Sequence, residues 1–221
     1  MIHAIFYTNN RFRERGEALE KRLRDVGFET ILHYTREWLE TTDFYSENRE
    51  ILDMPIGNGY WLWKPYIILE TMKIIDDNDI VFYMDAGDDI CNPDIVNMIE
   101  RCGDYMLSCP TKLRTNMVWT KKDCFILMGC DTPKYWHGQH VEAGTLVFRK
   151  KDHILAFLNE WLFYCRDKDI ITDIPSKLGI EYPGLRAHRH DQSILSLLAI
   201  KYDMGYSEKL YSYIRCNIFT P

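Results

Sequence analysis

The chain has 221 residues and a mass of 26.3 kDa, with 46% hydrophobic and 27% charged residues; that is the composition of a globular domain, not of a disordered or fibrous chain. Its 27 Lys and Arg against 33 Asp and Glu give a net charge of −6, so it lacks the basic excess that a sizeable nucleic-acid interface needs. Apolar runs such as Ile80 to Met84 are too short to span a bilayer, the first six residues carry no basic n-region of a signal peptide, and seven scattered Cys without a CxxC pair suit a reduced, cytoplasmic protein better than a disulfide framework or a zinc site.

Ile2 to Tyr7 is a short apolar run that ends at Thr8-Asn9-Asn10, which predicts a buried strand. From Arg11 to Val26, Leu19, Leu23 and Val26 share one face and Gly27 follows as a stop, so an amphipathic helix is expected. Phe28 to Leu32 reads as the next strand, and a β-α-β start predicts a parallel sheet. Residues 36–60 hold a short helix around Trp38 and Leu39 and a loop at Pro55-Ile56-Gly57-Asn58-Gly59. Pro65 is placed as the first residue of a helix to about Ile75. Ile80 to Met84 is apolar at every position, as in a strand buried on both faces.

Asn92-Pro93 opens a helix whose Ile95, Val96, Ile99 and Cys102 share a face, and Tyr105 to Cys109 is the next strand. Residues 110–140 read as irregular apart from a helix at 120–128. Thr145 to Phe148 is a strand; Ile154, Phe157, Leu158, Trp161, Leu162 and Cys165 then form a helical stripe. A loop over 167–189, a helix from Asp191 to Tyr202 and a polar-aromatic tail from Asp203 to Pro221 complete the chain.

In an open α/β sheet, ligands bind outside the carboxyl ends of the strands. Asp85, Asp88 and Asp89 follow the most buried strand. Like charges this close repel, and either a hard cation such as Mg²⁺ or Mn²⁺ neutralises them or they form a solvated acidic turn that caps the next helix.

Tyr83-Met84-Asp85-Ala86-Gly87-Asp88 resembles the Tyr-Leu-Asp-Ala-Asp metal motif of GT-A glycosyltransferases. Glu142-Ala143-Gly144-Thr145-Leu146-Val147-Phe148 resembles the Asn-Ala-Gly stretch of the retaining galactosyltransferase-like members, and His190-Asp191-Gln192-Ser193-Ile194-Leu195 their Asp-Gln-Asp-Ile-Leu motif. Trp63-Lys64-Pro65-Tyr66, with the Asp-Ala-Gly strand end, is similar to small bacterial and algal-virus glycosyltransferases of the Trp-Lys-Pro-Tyr type. These motifs run in the family's order from residue 61 to 195. There are two departures. Gly87 stands where the family has its second Asp, which makes Asp88 the substitute ligand, and no metal-binding His follows His190.

The resemblance implies a GT-A fold, an α/β architecture with a mostly parallel central sheet flanked by helices. Residues 1–110 would form the nucleotide-binding half and 111–221 the acceptor and sugar half of one domain, either complete or part of a longer protein. The implied activity is transfer of a sugar from a nucleotide-sugar donor, a UDP-hexose, to a glycan or glycoprotein with Mn²⁺ or Mg²⁺ and retention of configuration. Asp85 and Asp88 would hold the metal. Asp191 would bind sugar hydroxyls, Gln192 would sit beside the anomeric carbon, and Glu142 would bind donor hydroxyls or stabilise the developing cation.

Donor contacts would come from Tyr7, Thr8, Asn9, Arg11 and Arg13 after the first strand, from Lys64, from Asp85, Ala86 and Gly87, and from Gly144, where a missing Cβ admits the sugar. Each has a plainer alternative: Thr8 and Asn9 as helix caps, Lys64 as a surface lysine, Asp191 as a first-turn carboxylate, Gly144 as a strand-edge glycine. Trp61, Trp63 and Trp136 are sugar-stacking candidates or core; His137, His140, His188 and His190 are candidate acceptor or phosphate contacts.

Competing readings are a non-catalytic sugar-nucleotide-binding module and a nucleotidyltransferase, though the latter usually needs a Gly-rich loop that Tyr7-Thr8-Asn9-Asn10-Arg11 does not provide. GxxxxGK[ST] and GxGxxG are absent from the sequence.

Overall fold

The computed structural model describes residues 1–109 and 115–215; the sequence expectations for 110–114 and 216–221 lie outside the described residues. Strands β1 (Ile2–Thr8), β2 (Thr30–Thr35), β3 (Ile80–Met84), β5 (Tyr105–Ser108) and β6 (Glu142–Arg149) form an open sheet in the order β2-β1-β3-β6-β5. β1 runs parallel to β2 and β3, while β6 is antiparallel to both its neighbours. Only β6 is therefore reversed, and the sheet is mostly parallel as expected. A second, two-stranded pairing joins β4 (Asp89–Ile90) to β7 (Ile214–Arg215).

Alternation along the strands divides the core between two faces. Ala4, Phe6, Phe82, Met84 and Val147 point to one side. There Leu19 and Leu23 of α1 (Arg13–Asp25) and Ile95 and Ile99 of α2 (Ile95–Glu100) cover them. Ile5, Tyr7, Val81, Tyr83, Leu146 and Phe148 point to the other side. Three longer helices cover that face: α3 (Trp63–Ile74), α4 (Asp152–Cys165) and α5 (His190–Lys201). All five residues of β3 are buried, as its unbroken apolar run requires.

Two of these helices are buried nearly all round. α3 buries Trp63, Lys64, Pro65, Ile67, Ile68, Leu69, Thr71 and Met72, and α5 buries every residue from Ser193 to Ala199 as well as His190 and Asp191. α4 packs against both of them. Lys64 and Asp191 sit in the first turns of these helices, so the packing that fills the core also buries two opposite charges.

Several boundaries differ from the sequence reading. β2 starts at Thr30 because Phe28 is a buried plug, stacked on Phe82 at 5.1 Å. α3 starts at Trp63, so Pro65 is its third residue, still within the first turn, where a missing N–H costs nothing. A short helix, Lys168–Ile171, interrupts the loop expected over 167–189. The tail forms a helix, Glu208–Tyr213, and then β7. Leu210 is buried, and the Ser207 amide donates to the Leu107 carbonyl at 2.8 Å.

Candidate active site

The cleft at the carboxyl end of β3 has a volume of about 280 Å³. Lys64, Asp85, Asp88, Glu142, Gly144, Asp191 and Gln192 line it, together with Trp61, Arg189 and His190. The structure thus brings together the three catalytic candidates, both metal candidates and three of the donor-contact candidates, Lys64, Asp85 and Gly144.

Lys64 is the hub. It is 2% exposed, and its Nζ lies 3.3 Å from Asp85 Oδ1, 3.3 Å from Asp191 Oδ2 and 3.0 Å from the Ala143 carbonyl that it donates to. Burial alone would lower its pKa; Asp191 and Asp85 more than offset that, and the ammonium stays above the ordinary lysine value. The surface-lysine alternative is thereby excluded. Asp85 Oδ1 also accepts a hydrogen bond from the Tyr83 hydroxyl. Burial first, then the charge of Asp85, hold that hydroxyl protonated as a donor.

One ammonium faces three carboxylates. Burial, and then Asp85, raise Asp88 to about 7 against the opposing pull of Lys64. Burial also raises Asp191 to about 7, opposed by Lys64 and reinforced by Asp85. The Lys64 and Asp191 shifts are compatible because a single cation shared among several acids stays charged while the acids remain under-neutralised. Asp191 Oδ2 makes the ion contact but no hydrogen bond. Its helix is pinned by the Trp161 indole, which donates to the Asp191 carbonyl at 3.0 Å.

Two backbone features shape the cleft wall, and only one had a sequence signal. Gly57, Asn58, Gly59, Tyr60 and Trp61 all have positive φ. At the three non-glycine positions this costs about 1–2 kcal/mol each. A Cβ at Gly59 would lie 2.6 Å from the Leu52 Cα. The Asn58 amide donates to the Tyr7 hydroxyl, and the Trp63 indole to the Gly57 carbonyl at 3.0 Å. This left-handed turn delivers Trp61 to the cleft, where it stacks on His190 at 5.6 Å. His190 is itself left-handed, with φ 53, and its Nδ1 lies 2.9 Å from the Ile171 carbonyl. Gly-Asn-Gly announced the first feature; nothing in the sequence announced the second.

Other candidates lie outside the cleft lining. Tyr7 is buried against Trp63 at 4.0 Å, and burial pushes its hydroxyl up to about 12. Thr8 Oγ1 bonds His33 Nε2 at 2.6 Å, and Asn9 caps the following turn through the Arg11 amide at 3.1 Å. Arg11 and Arg13 are exposed just beyond. Ala86 packs against the core, and a Cβ at Gly87 would come 3.9 Å from Arg15. Asp89 turns towards Arg22 at 3.9 Å.

Trp63 is core; Trp136 donates to Asp131 and packs on Tyr182 at 4.9 Å. His137 is exposed. His140 pairs with Asn116 at 2.9 Å, and His188 Nε2 donates to the Ile170 carbonyl at 2.8 Å. The sequence reading missed Tyr83 as the orienting donor, Arg189, and Tyr211 and Ile214 of the tail, all but Tyr83 lining the cleft.

Among the described residues no group of three or more His, Cys, Asp or Glu is placed to hold a metal by itself. Two carboxylates nevertheless converge. A Cβ built on Gly144 would lie 3.1 Å from Asp88 Oδ2 and 3.3 Å from Asp85 Oδ2. Two hard oxygens around one small space, carrying more negative charge than Lys64 balances, fit a divalent cation that takes its other ligands from a phosphate-bearing molecule. Gly144→Ala is expected to leave the fold intact and to weaken Mn²⁺ binding in the presence of UDP about tenfold. Calorimetric titration checks this, and unchanged affinity would place the ion elsewhere.

No family model and no curated protein matches the chain. Similar solved structures include the galactosyltransferase LgtC with donor and acceptor sugar analogs, at 15% identity and TM-score 0.46 over 90% of this chain and 70% of that one. A glycosyltransferase involved in glycosylation of the major capsid of PBCV-1 matches at 11% identity and TM-score 0.42, over 76% and 67%. Mouse xyloside xylosyltransferase 1 in its apo form matches at 10% identity and TM-score 0.46, over 100% and 99%. At such identities and TM-scores, donor, acceptor, metal and stereochemistry rest on the residues of the cleft. The chain is similar in structure to these solved glycosyltransferases.

Proposed function

We propose that this chain is a metal-assisted glycosyltransferase that moves a hexose from a UDP-sugar to a glycan or glycoprotein acceptor with retention of configuration. The observation that carries this reading is the charge balance of the cleft: Asp85, Asp88 and Asp191 surround a single buried ammonium. A polyhydroxylated, uncharged sugar suits such acceptors, but a diphosphate does not enter an acidic cleft unaccompanied. A divalent cation held by Asp85 and Asp88 would neutralise the diphosphate as it leaves.

The chain's own residues then divide the work. Tyr83 and Lys64 occupy Asp85 Oδ1 and leave Oδ2 turned towards Gly144. Asp191, held by Lys64, binds sugar hydroxyls. Gln192, the next residue on the same helix, lies beside the anomeric carbon. Glu142, at the start of β6, offsets positive charge that develops on the ring. Arg11 and Arg13, exposed just beyond β1, meet the nucleotide in residues 1–110, and 111–221 serves sugar and acceptor.

A panel of nucleotide sugars with Mn²⁺ tests this. UDP release that EDTA abolishes is expected, with a loss of about 100-fold or more in Asp85→Ala at unchanged circular dichroism. A thermal shift without turnover would make the chain a binding module instead. NMR of an early product checks stereochemistry, and an inverted anomer would refute retention.

A further inference from the structure

Two guanidinium groups beside the cleft have no acidic partner among the described residues. Arg189 Cζ lies 4.7 Å from the centroid of the Trp119 ring and Arg186 Cζ lies 6.0 Å from it. Main-chain bonds fix both to the same segment: the Arg189 amide donates to the Trp119 carbonyl at 3.0 Å, and the Arg186 amide to the Val118 carbonyl at 2.9 Å. Both residues are exposed, and Arg189 lines the cleft. Among the described residues no carboxylate lies within salt-bridge distance of either. The acids nearest in sequence face elsewhere, Asp191 towards Lys64 at 3.3 Å and Glu181 towards the Lys122 amide, from which it accepts at 2.7 Å. Many other surface arginines of this chain pair with acids, as Arg24 does with Glu20 and Arg166 with Glu47.

Stacking on an indole pre-orients a guanidinium and leaves its N–H fork free for an oxyanion. The cleft floor is acidic, so an anionic molecule that reaches the reacting centre is repelled unless cations receive its charge at the rim.

We infer that Arg186 and Arg189, held on Trp119, bind the anionic group of the acceptor, a sugar that carries a phosphate or carboxylate. This rests on the glycosyltransferase reading and names its acceptor class.

The test titrates wild-type protein with glucose, glucose 6-phosphate and glucuronic acid by ligand-observed NMR, with and without saturating UDP and Mn²⁺ to fill the donor site. At least one charged sugar is expected to bind about tenfold more tightly than glucose, and the preference should shrink as salt rises. Comparison of the phosphate and carboxylate arms identifies the anion. The double variant R186Q/R189Q, at two exposed positions, is expected to erase the preference while its thermal unfolding stays that of the wild type.

Equal binding of glucose and both charged sugars would overturn the inference. So would a preference that survives R186Q/R189Q, or one that vanishes when UDP and Mn²⁺ fill the donor site. If nucleotide sugars turn over while charged and neutral sugars bind alike, the anion site fails and the proposed function stands. If nucleotide sugars neither bind nor turn over, the function fails and takes the acceptor role with it, even where glucose 6-phosphate still binds.

Discussion

Lys64→Met is expected to destabilise the protein by about 3–5 kcal/mol at pH 8 and to abolish sugar transfer, with a much smaller stability loss at pH 5.5. Methionine fills the aliphatic volume of the lysine, so the packing of α3 survives and the change isolates the charge. What remains is Asp191, 3% exposed, and Asp85, each without the ammonium that lay 3.3 Å away. Taking one partner from a buried ion pair costs more than the pair contributes, because the other charge stays buried without compensation.

The pH dependence has a definite sign. The folded pKa of Asp191 is already about 7, above its ordinary value of 3.8, because burial outweighs Lys64. A carboxylate raised in this way favours the fold fully below its unfolded pKa, and that contribution is lost as pH rises through the folded value. Removing Lys64, which lowers Asp191, extends the window upward. At pH 5.5 the carboxyl takes a proton and the loss shrinks; at pH 8 its charge must be buried. Lys64 is itself charged at both pH values, since its pKa lies above the ordinary lysine value. Urea unfolding of wild type and variant at the two pH values checks this. An equal loss at both would show that the lysine acts by packing alone.

The fold was largely legible in the sequence because its core elements obey simple periodicities. The unbroken run Ile80–Met84 requires burial on two faces, and the stripe from Ile154 to Cys165 requires a helix packed on one side; both occur. The candidate site was legible as a set of residues that share one cleft and not as an electrostatic arrangement. Asp85, Asp88, Glu142, Asp191 and Gln192 line one cleft. That Lys64 lies beside them as a buried cation depends on α4 covering α3, a long-range packing fact with no local signal.

The residues after β1 show the opposite limit. Tyr7 and Thr8 have side chains able to bind a nucleotide, yet here they bond Asn58, from the left-handed turn before α3, and His33, from the neighbouring strand β2. The tail reads as polar-aromatic because tyrosines and polar residues are interleaved with its aliphatic ones. Leu210 and Ile214 suffice to anchor it, since both are buried against the sheet.

Asp191→Asn separates stability from function in the same cluster. At pH 8 the wild-type carboxyl, raised to about 7, is mostly ionised in a site that disfavours its charge. Asparagine has the same shape, can turn its amide oxygen to Lys64, and leaves one ammonium facing two acids rather than three. The variant is therefore expected to be more stable than wild type by on the order of 1–2 kcal/mol at pH 8. That gain should disappear at pH 5.5, where the wild-type group is protonated and already neutral.

Activity is expected to move the other way. A carboxylate that grips sugar hydroxyls more strongly as positive charge grows on the ring contributes several kcal/mol that a neutral amide does not, a loss of about 10²–10³-fold in UDP release. Thermal unfolding at both pH values and a turnover assay at pH 8 read the two effects on one variant. A stabilised, inactive protein would mark Asp191 as a charge kept against the interest of the fold. A stabilised protein with wild-type turnover would make it a misplaced helix-start residue and move the sugar site to another part of the cleft.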